Sequence, residues 1–90
     1  MPLTTKERQH LKARAHKLKP VVMVGNNGVT IAVNKEIDRA LNDHELIKIR
    51  VQTEDRELRQ QILEEIAATA NAELVQKIGG IGVFYRLKKS

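Results

Sequence analysis

The sequence predicts a two-layer α/β domain with element order αβαβαββ and a four-stranded mixed sheet. Three observations lead there. Aliphatic residues recur at helical spacing in three segments, short β-branched or alternating runs separate and follow them, and glycines punctuate the chain at GNNG (25–28) and Gly79-Gly80. Hydrophobic residues make up 41% of the 90 residues, enough for one core but too little chain for two, so residues 1–90 are expected to form a single domain.

The elements follow in order. Thr4 with Glu7 three residues later makes a capping box, and Leu11, Ala15 and Leu18 recur behind it, giving a first helix that Pro20 stops. Val21 to Val24 is a short continuous apolar run, which suits a strand covered on both faces. Beyond GNNG, Val29, Val33, Ile37, Ala40, Leu41 and His44 trace a second helix, with Thr30 or a loop residue as its cap. Leu46 to Gln52 alternates, with Ile47, Ile49 and Val51 inward and Lys48, Arg50 and Gln52 outward. Asp55 or Thr53 caps a third helix striped by Leu58, Ile62, Ile66 and Ala70. Ala72 to Ile78 and Ile81 to Leu87 form a hairpin turned at Gly79-Gly80. Right-handed crossovers then put helices two and three on one face of the sheet.

Composition narrows the function. The net charge of +5 favours a polyanionic partner, and it is concentrated: up to Lys19 the chain carries Lys6, Arg8, Lys12, Arg14, Lys17 and Lys19 against the single acid Glu7. There is no cysteine, hence no disulfide frame, thiolate ligand or thiol nucleophile. No apolar run approaches the ~20 residues of a membrane span and the N-terminal segment lacks a signal-like apolar stretch, so a cytoplasmic protein with no membrane partner is expected.

The residues that could serve an enzyme are His10, His16, His44, Glu45, Asp55 and Glu57. His10 and His16 cannot share a helix face, His44 closes a helix, and the acids cap one; neither a nucleophile elbow nor a Walker loop is present. No catalysis, metal, cofactor or small-molecule substrate is expected. Phe84 and Tyr85 are the only aromatics, too few for a base-stacking platform of rings, and one of the pair is assigned to the core. Arg86, Lys88 and Lys89 are read as solvating the C-terminus.

The GNNG loop carries the strongest functional signal. A helix N-terminus has unpaired N–H groups and partial positive charge, and glycines without Cβ atoms admit a sugar-phosphate backbone close to the main chain. Gly25 and Gly28 are expected to supply positive φ, and Asn26 and Asn27 amide protons. This is the physics of the GXXG loop of KH domains. With Lys12, Arg14, Lys17 and Lys19 expected nearby, these residues form the candidate RNA-binding set. A DNA-binding module and a protein-protein adaptor of the translation machinery are the alternatives.

The segments AHKLKPVVMVG (15–25), GNNGVT (25–30), HELIKIRV (44–51), TEDRE (53–57) and VQKIG (75–79), with the Tyr85-Arg86 pair, resemble the CRM (chloroplast RNA splicing and ribosome maturation) family in its single-domain bacterial form, the YhbY proteins. The resemblance implies a KH-like GXXG motif mounted on the fold of the C-terminal domain of translation initiation factor three. It also implies RNA binding and association with large-subunit ribosomal precursors in ribosome assembly. A monomer is expected. Family members often carry Lys where this chain has Asn26, so the loop is expected to lean more on backbone amides and on Lys17 or Lys19.

Overall fold

The computed structural model describes residues 3–87. Its elements are α1 (Thr5–Ala15), β1 (Pro20–Val24), α2 (Ile31–His44), β2 (Leu46–Val51), α3 (Arg56–Thr69), β3 (Glu73–Ile78) and β4 (Ile81–Tyr85). The strands lie in the order β1-β2-β4-β3; β1 is parallel to β2, and β4 is antiparallel to both β2 and β3. Both strand-helix-strand crossovers run the same way across the sheet, which puts α2 and α3 on one face as the right-handed rule requires.

That face is the main core. Ile37 and Leu41 of α2 and Ile62, Leu63 and Ile66 of α3 close on Val22, Val24, Ile47, Ile49, Val51 and Phe84 of the sheet. Each helix starts on a side-chain oxygen. Thr30 accepts the Val33 N–H at 3.1 Å, and Asp55 accepts those of Glu57 and Leu58 at 3.0 and 3.2 Å. Thr4 and Glu7 form the capping box of α1 in both directions, 2.9 and 3.1 Å. The bond from the Thr4 backbone N–H, then the one to its side chain, holds the Glu7 carboxyl below the usual glutamate range.

The opposite face is covered only in part. Leu11 and Ala15 of α1 dock on Leu46, Val75 and Val83, at the end of the sheet where β2 begins. Arg8 fixes the helix there: at an irregularity in the β3–β4 pairing it donates to the carbonyls of Leu74 (2.9 Å) and Val75 (3.4 Å), beside Glu73.

Two sequence expectations need correction here. β1 is not covered on both faces: Val22 and Val24 are buried, but Val21 and Met23 are 50% and 57% exposed, because β1 is an edge strand that α1 does not reach across. Arg86 does not merely solvate the terminus. It donates to the carbonyls of Ala70 (2.8 Å) and Asp38 (3.1 Å) and to Asn42 Oδ1 (2.9 Å), and pairs with the Asp38 carboxylate at 2.9 Å, tying β4 to α2 and the end of α3. Lys88 and Lys89 lie outside the described residues. Of the two aromatics, Phe84 is the core residue and Tyr85 stays partly exposed beneath α1.

Candidate nucleic-acid interface

The segment between β1 and α2 closes on itself through one bond, from the Gly28 N–H to the Gly25 carbonyl at 3.0 Å. Asn26 and Asn27 therefore stand at the tip of a tight turn, exposed and without a hydrogen bond to any described residue. Gly28 takes φ +72°, the left-handed conformation that glycine adopts without strain, while Gly25 does not. A Cβ at either glycine would meet nothing within 4 Å, so the loop surface is open on both sides. The sequence reading allows positive φ at both glycines and assigns donated amide protons to Asn26 and Asn27. Only Gly28 has positive φ, and its N–H is used inside the turn, while Asn26 and Asn27 have no partner among the described residues.

The helix that follows starts two residues later than the loop, capped by Thr30. Its Val33 amide is taken by the Thr30 hydroxyl and its Asn34 amide by the Thr30 carbonyl, so the helix end facing the loop carries donors only at its first positions. Ile31, the first helical residue, is 78% exposed beside the turn.

The first helix ends earlier than Pro20: Ala15 is its last residue and His16 its C-cap, so Lys17 and Lys19 sit in the connector. Because that connector feeds the start of β1 and the loop leaves its end, Lys19 and Gly25 are separated by the length of the strand, about 20 Å at 3.3 Å per residue. Lys12 shares the flank of Arg8 one turn away, while Arg14 borders one recess with Lys19 and His44 and another with His10 and Tyr85. The four cations thus form a belt at the α1 end of the molecule rather than a collar around the loop.

A different set of cations neighbours the loop. An open cleft runs beside Asn26 between the end of β2, the start of α3 and the β3–β4 turn, and Arg50 and Arg59 line it. Arg59 donates to the Thr53 carbonyl at 3.2 Å, and its buried Nε has no partner among the described residues. Around the corner Arg56, Arg59 and Lys77 share a recess with Gly79. Glu54 and Asp55 are the acids on the cleft, and Asp55 is engaged as the α3 cap. Sequence reasoning missed these basic residues as a group. Arg50 was legible as an outward strand position, but nothing local links it to residues 59 or 77. The turn that closes the cleft is held in place: the Val51 N–H donates to the Gly80 carbonyl at 2.7 Å, and a Cβ on Gly80 would press to 3.1 Å from the Val51 oxygen. No group of three or more histidine or acidic residues suited to a metal exists among the described residues.

A two-crossover mixed sheet with an exposed GXXG turn invites comparison with known proteins. The model of the CRS1/YhbY (CRM) domain family matches residues 3–86. The chain belongs to the CRM family. A relative in Haemophilus influenzae named "RNA-binding protein" is 52% identical over 84 residues, covering 93% of this chain and 85% of the relative. Another in Pseudomonas aeruginosa, named "probable RNA-binding protein PA4753", is 43% identical over 86 residues, covering 96% and 83%. The solution structure of the Staphylococcus aureus hypothetical protein SAV1595 superposes with a TM-score of 0.85 at 32% identity, covering 99% of this chain and 93% of that one. The CRM fold expected from the sequence, three helices on a four-stranded mixed sheet, is the fold found.

Proposed function

We propose that this CRM domain binds RNA, gripping the phosphate backbone with its GNNG turn, and that the RNA it meets is a precursor of the large ribosomal subunit in the cytoplasm. The observation that carries the reading is the turn itself, since Asn26 and Asn27 present unpartnered amides on an open tip flanked by two residues with no side chain. A phosphate there accepts from those amides, and Gly25 and Gly28 keep its path clear. Arg50 and Arg59, which line the cleft beside Asn26, supply positive charge there, and the belt of Lys12, Arg14, Lys17 and Lys19 draws the strand in from further off. The relatives' names and the net charge of +5 support an RNA partner, and no helix among the described residues is long and apolar enough to cross a membrane.

The test is a pair of variants. Gly25→Asp with Gly28→Asp puts bulk and negative charge where phosphate must sit; Asn26→Asp with Asn27→Asp adds the same charge without changing shape or backbone freedom. Both are expected to lower RNA affinity by at least about tenfold, on the order of one charge-assisted contact, with a native circular dichroism spectrum. Retained affinity in the folded asparagine variant refutes the role of the turn. Competition between matched RNA and DNA strands separates the two nucleic acids, and sequencing of RNA crosslinked in cells tests the ribosomal assignment.

A further inference from the structure

The half of the sheet that α1 leaves bare carries a pattern of its own. Met23, Arg50, Ile81 and Ile78 are direct cross-strand partners in one row through all four strands, β1 to β2 to β4 to β3. The row lies on the face away from α2 and α3, since Met23 alternates with buried Val22 and Val24, and Arg50 with buried Ile49 and Val51. Met23 is 57% and Ile78 55% exposed, and Val21, behind Met23, is 50% exposed. Single exposed aliphatics are ordinary, but here Met23 and Ile78, with Arg50 and Ile81 between them, share one row of one face.

We propose that this row is a shelf for the unpaired bases of the RNA strand whose backbone the GNNG turn holds, an inference that rests on the RNA-binding reading. Two features choose the occupant. The outward positions of the bare region are Val21, Met23, Lys48, Arg50, Gln76, Ile78 and Ile81, apolar or basic apart from one neutral amide and with no carboxylate. A partner that is flat and apolar yet polyanionic matches that surface, and single-stranded RNA is both. The shelf is also continuous with the turn, because Arg50, Ile78 and Ile81 border the same cleft as Asn26. A strand pinned by its phosphates at the turn therefore has sheet surface beneath its bases. Met23 and the isoleucines pack against base faces, and the Arg50 guanidinium stacks on them. Duplex RNA, with its bases paired inside, gains nothing there, so the shelf makes the domain prefer single strands without reading sequence.

The experiment removes apolar surface without removing charge. Met23→Ser combined with Ile78→Ser alters two exposed positions, and its urea midpoint is expected to match the wild type. Binding is measured by fluorescence anisotropy with an oligouridylate of about a dozen nucleotides and with an abasic ribose-phosphate oligomer of equal length. The wild type is expected to bind the uridylate about tenfold more tightly than the abasic strand. The variant is expected to lose that difference while keeping its affinity for the abasic strand and an unchanged salt dependence. Equal wild-type affinity for the two strands overturns the shelf and leaves backbone recognition standing, whereas no wild-type binding to either overturns both readings. If the variant instead binds uridylate normally but abolishes a dimer seen for the wild type by sedimentation, the face is a self-interface and the shelf is wrong.

Discussion

Gly28 and Gly82 are both glycine for reasons the backbone makes plain, and the reasons differ. Gly28 sits at φ +72° in open space, so an alanine there meets no atom but must enter the left-handed region, at a cost of about 1 kcal/mol. Gly82 has an ordinary φ and no room. A Cβ would lie 2.6 Å from Leu63 Cδ2 and 2.8 Å from Phe84 Cε2, and both neighbours are fully buried, so neither can swing aside. Gly82→Ala is expected to cost about 1–3 kcal/mol through overpacking, Gly28→Ala about 1 kcal/mol, and Gly25→Ala within about 0.5 kcal/mol of zero. Urea denaturation orders the three, and a neutral Gly82→Ala contradicts the packing account. This is also where the sequence is least legible. It marks Gly25 and Gly28 as a pair without telling that only one needs positive φ, and a glycine between Ile81 and Val83 shows no sign of the ring and methyl above it. Arg86 was misread for a kindred reason: its acceptors Asp38 and Ala70 are distant in sequence, and no local pattern announces them.

At the level of elements the sequence speaks more clearly. All three helices and four strands exist in the expected order, because each is marked by a cap, an amphipathic stripe or a glycine turn that acts locally, although α1 ends at Ala15 and leaves Leu18 outside the helix expected to run to Pro20. What periodicity does not carry is which side of a strand is covered. Val21 to Val24 reads as continuously apolar, yet β1 alternates between core and solvent, and its exposed residues form one end of the proposed shelf. The start of α1 offers a test with a definite sign. Glu7 is held below the usual glutamate range by the Thr4 N–H and hydroxyl, so its charged form favours the folded helix. That contribution is fully present above the unfolded-state pKa and is lost as pH falls through the lower folded-state value. Protection factors in the first turn of α1, with each amide's rate taken relative to its intrinsic exchange rate at that pH, are expected to fall on acidification through that window. In Glu7→Gln, which keeps an acceptor for the Thr4 amide, this dependence is expected to vanish. Protection that follows pH alike in both proteins rules out the carboxylate as the cause.

The whole molecule assembles what no segment contains. A mixed sheet with two helices on one face was readable, since the crossovers have a fixed hand, but the strand order was not, and the cleft beside Asn26 draws on residues 50, 59, 78, 80 and 81, which meet only once β4 has slipped between β2 and β3. The same topology separates the turn from the lysine belt. The sequence reading put Lys17 and Lys19 next to GNNG because they are near in the chain, whereas β1 carries the two apart by about 20 Å. That exceeds the Debye length of about 8 Å at physiological salt, so the belt contributes little to a phosphate at the turn unless the strand physically reaches it. Lys12, Lys17 and Lys19 changed together to alanine should therefore weaken an oligonucleotide of about a dozen residues, flattening its log affinity against log salt by about 0.7 per lost contact, about 2 in all. A dinucleotide, too short to bridge turn and belt, should lose almost nothing when titrated by chemical-shift changes at Asn26 and Asn27. Equal fractional losses for the long and the short ligand would mean that belt and turn act at one point, against the geometry of β1.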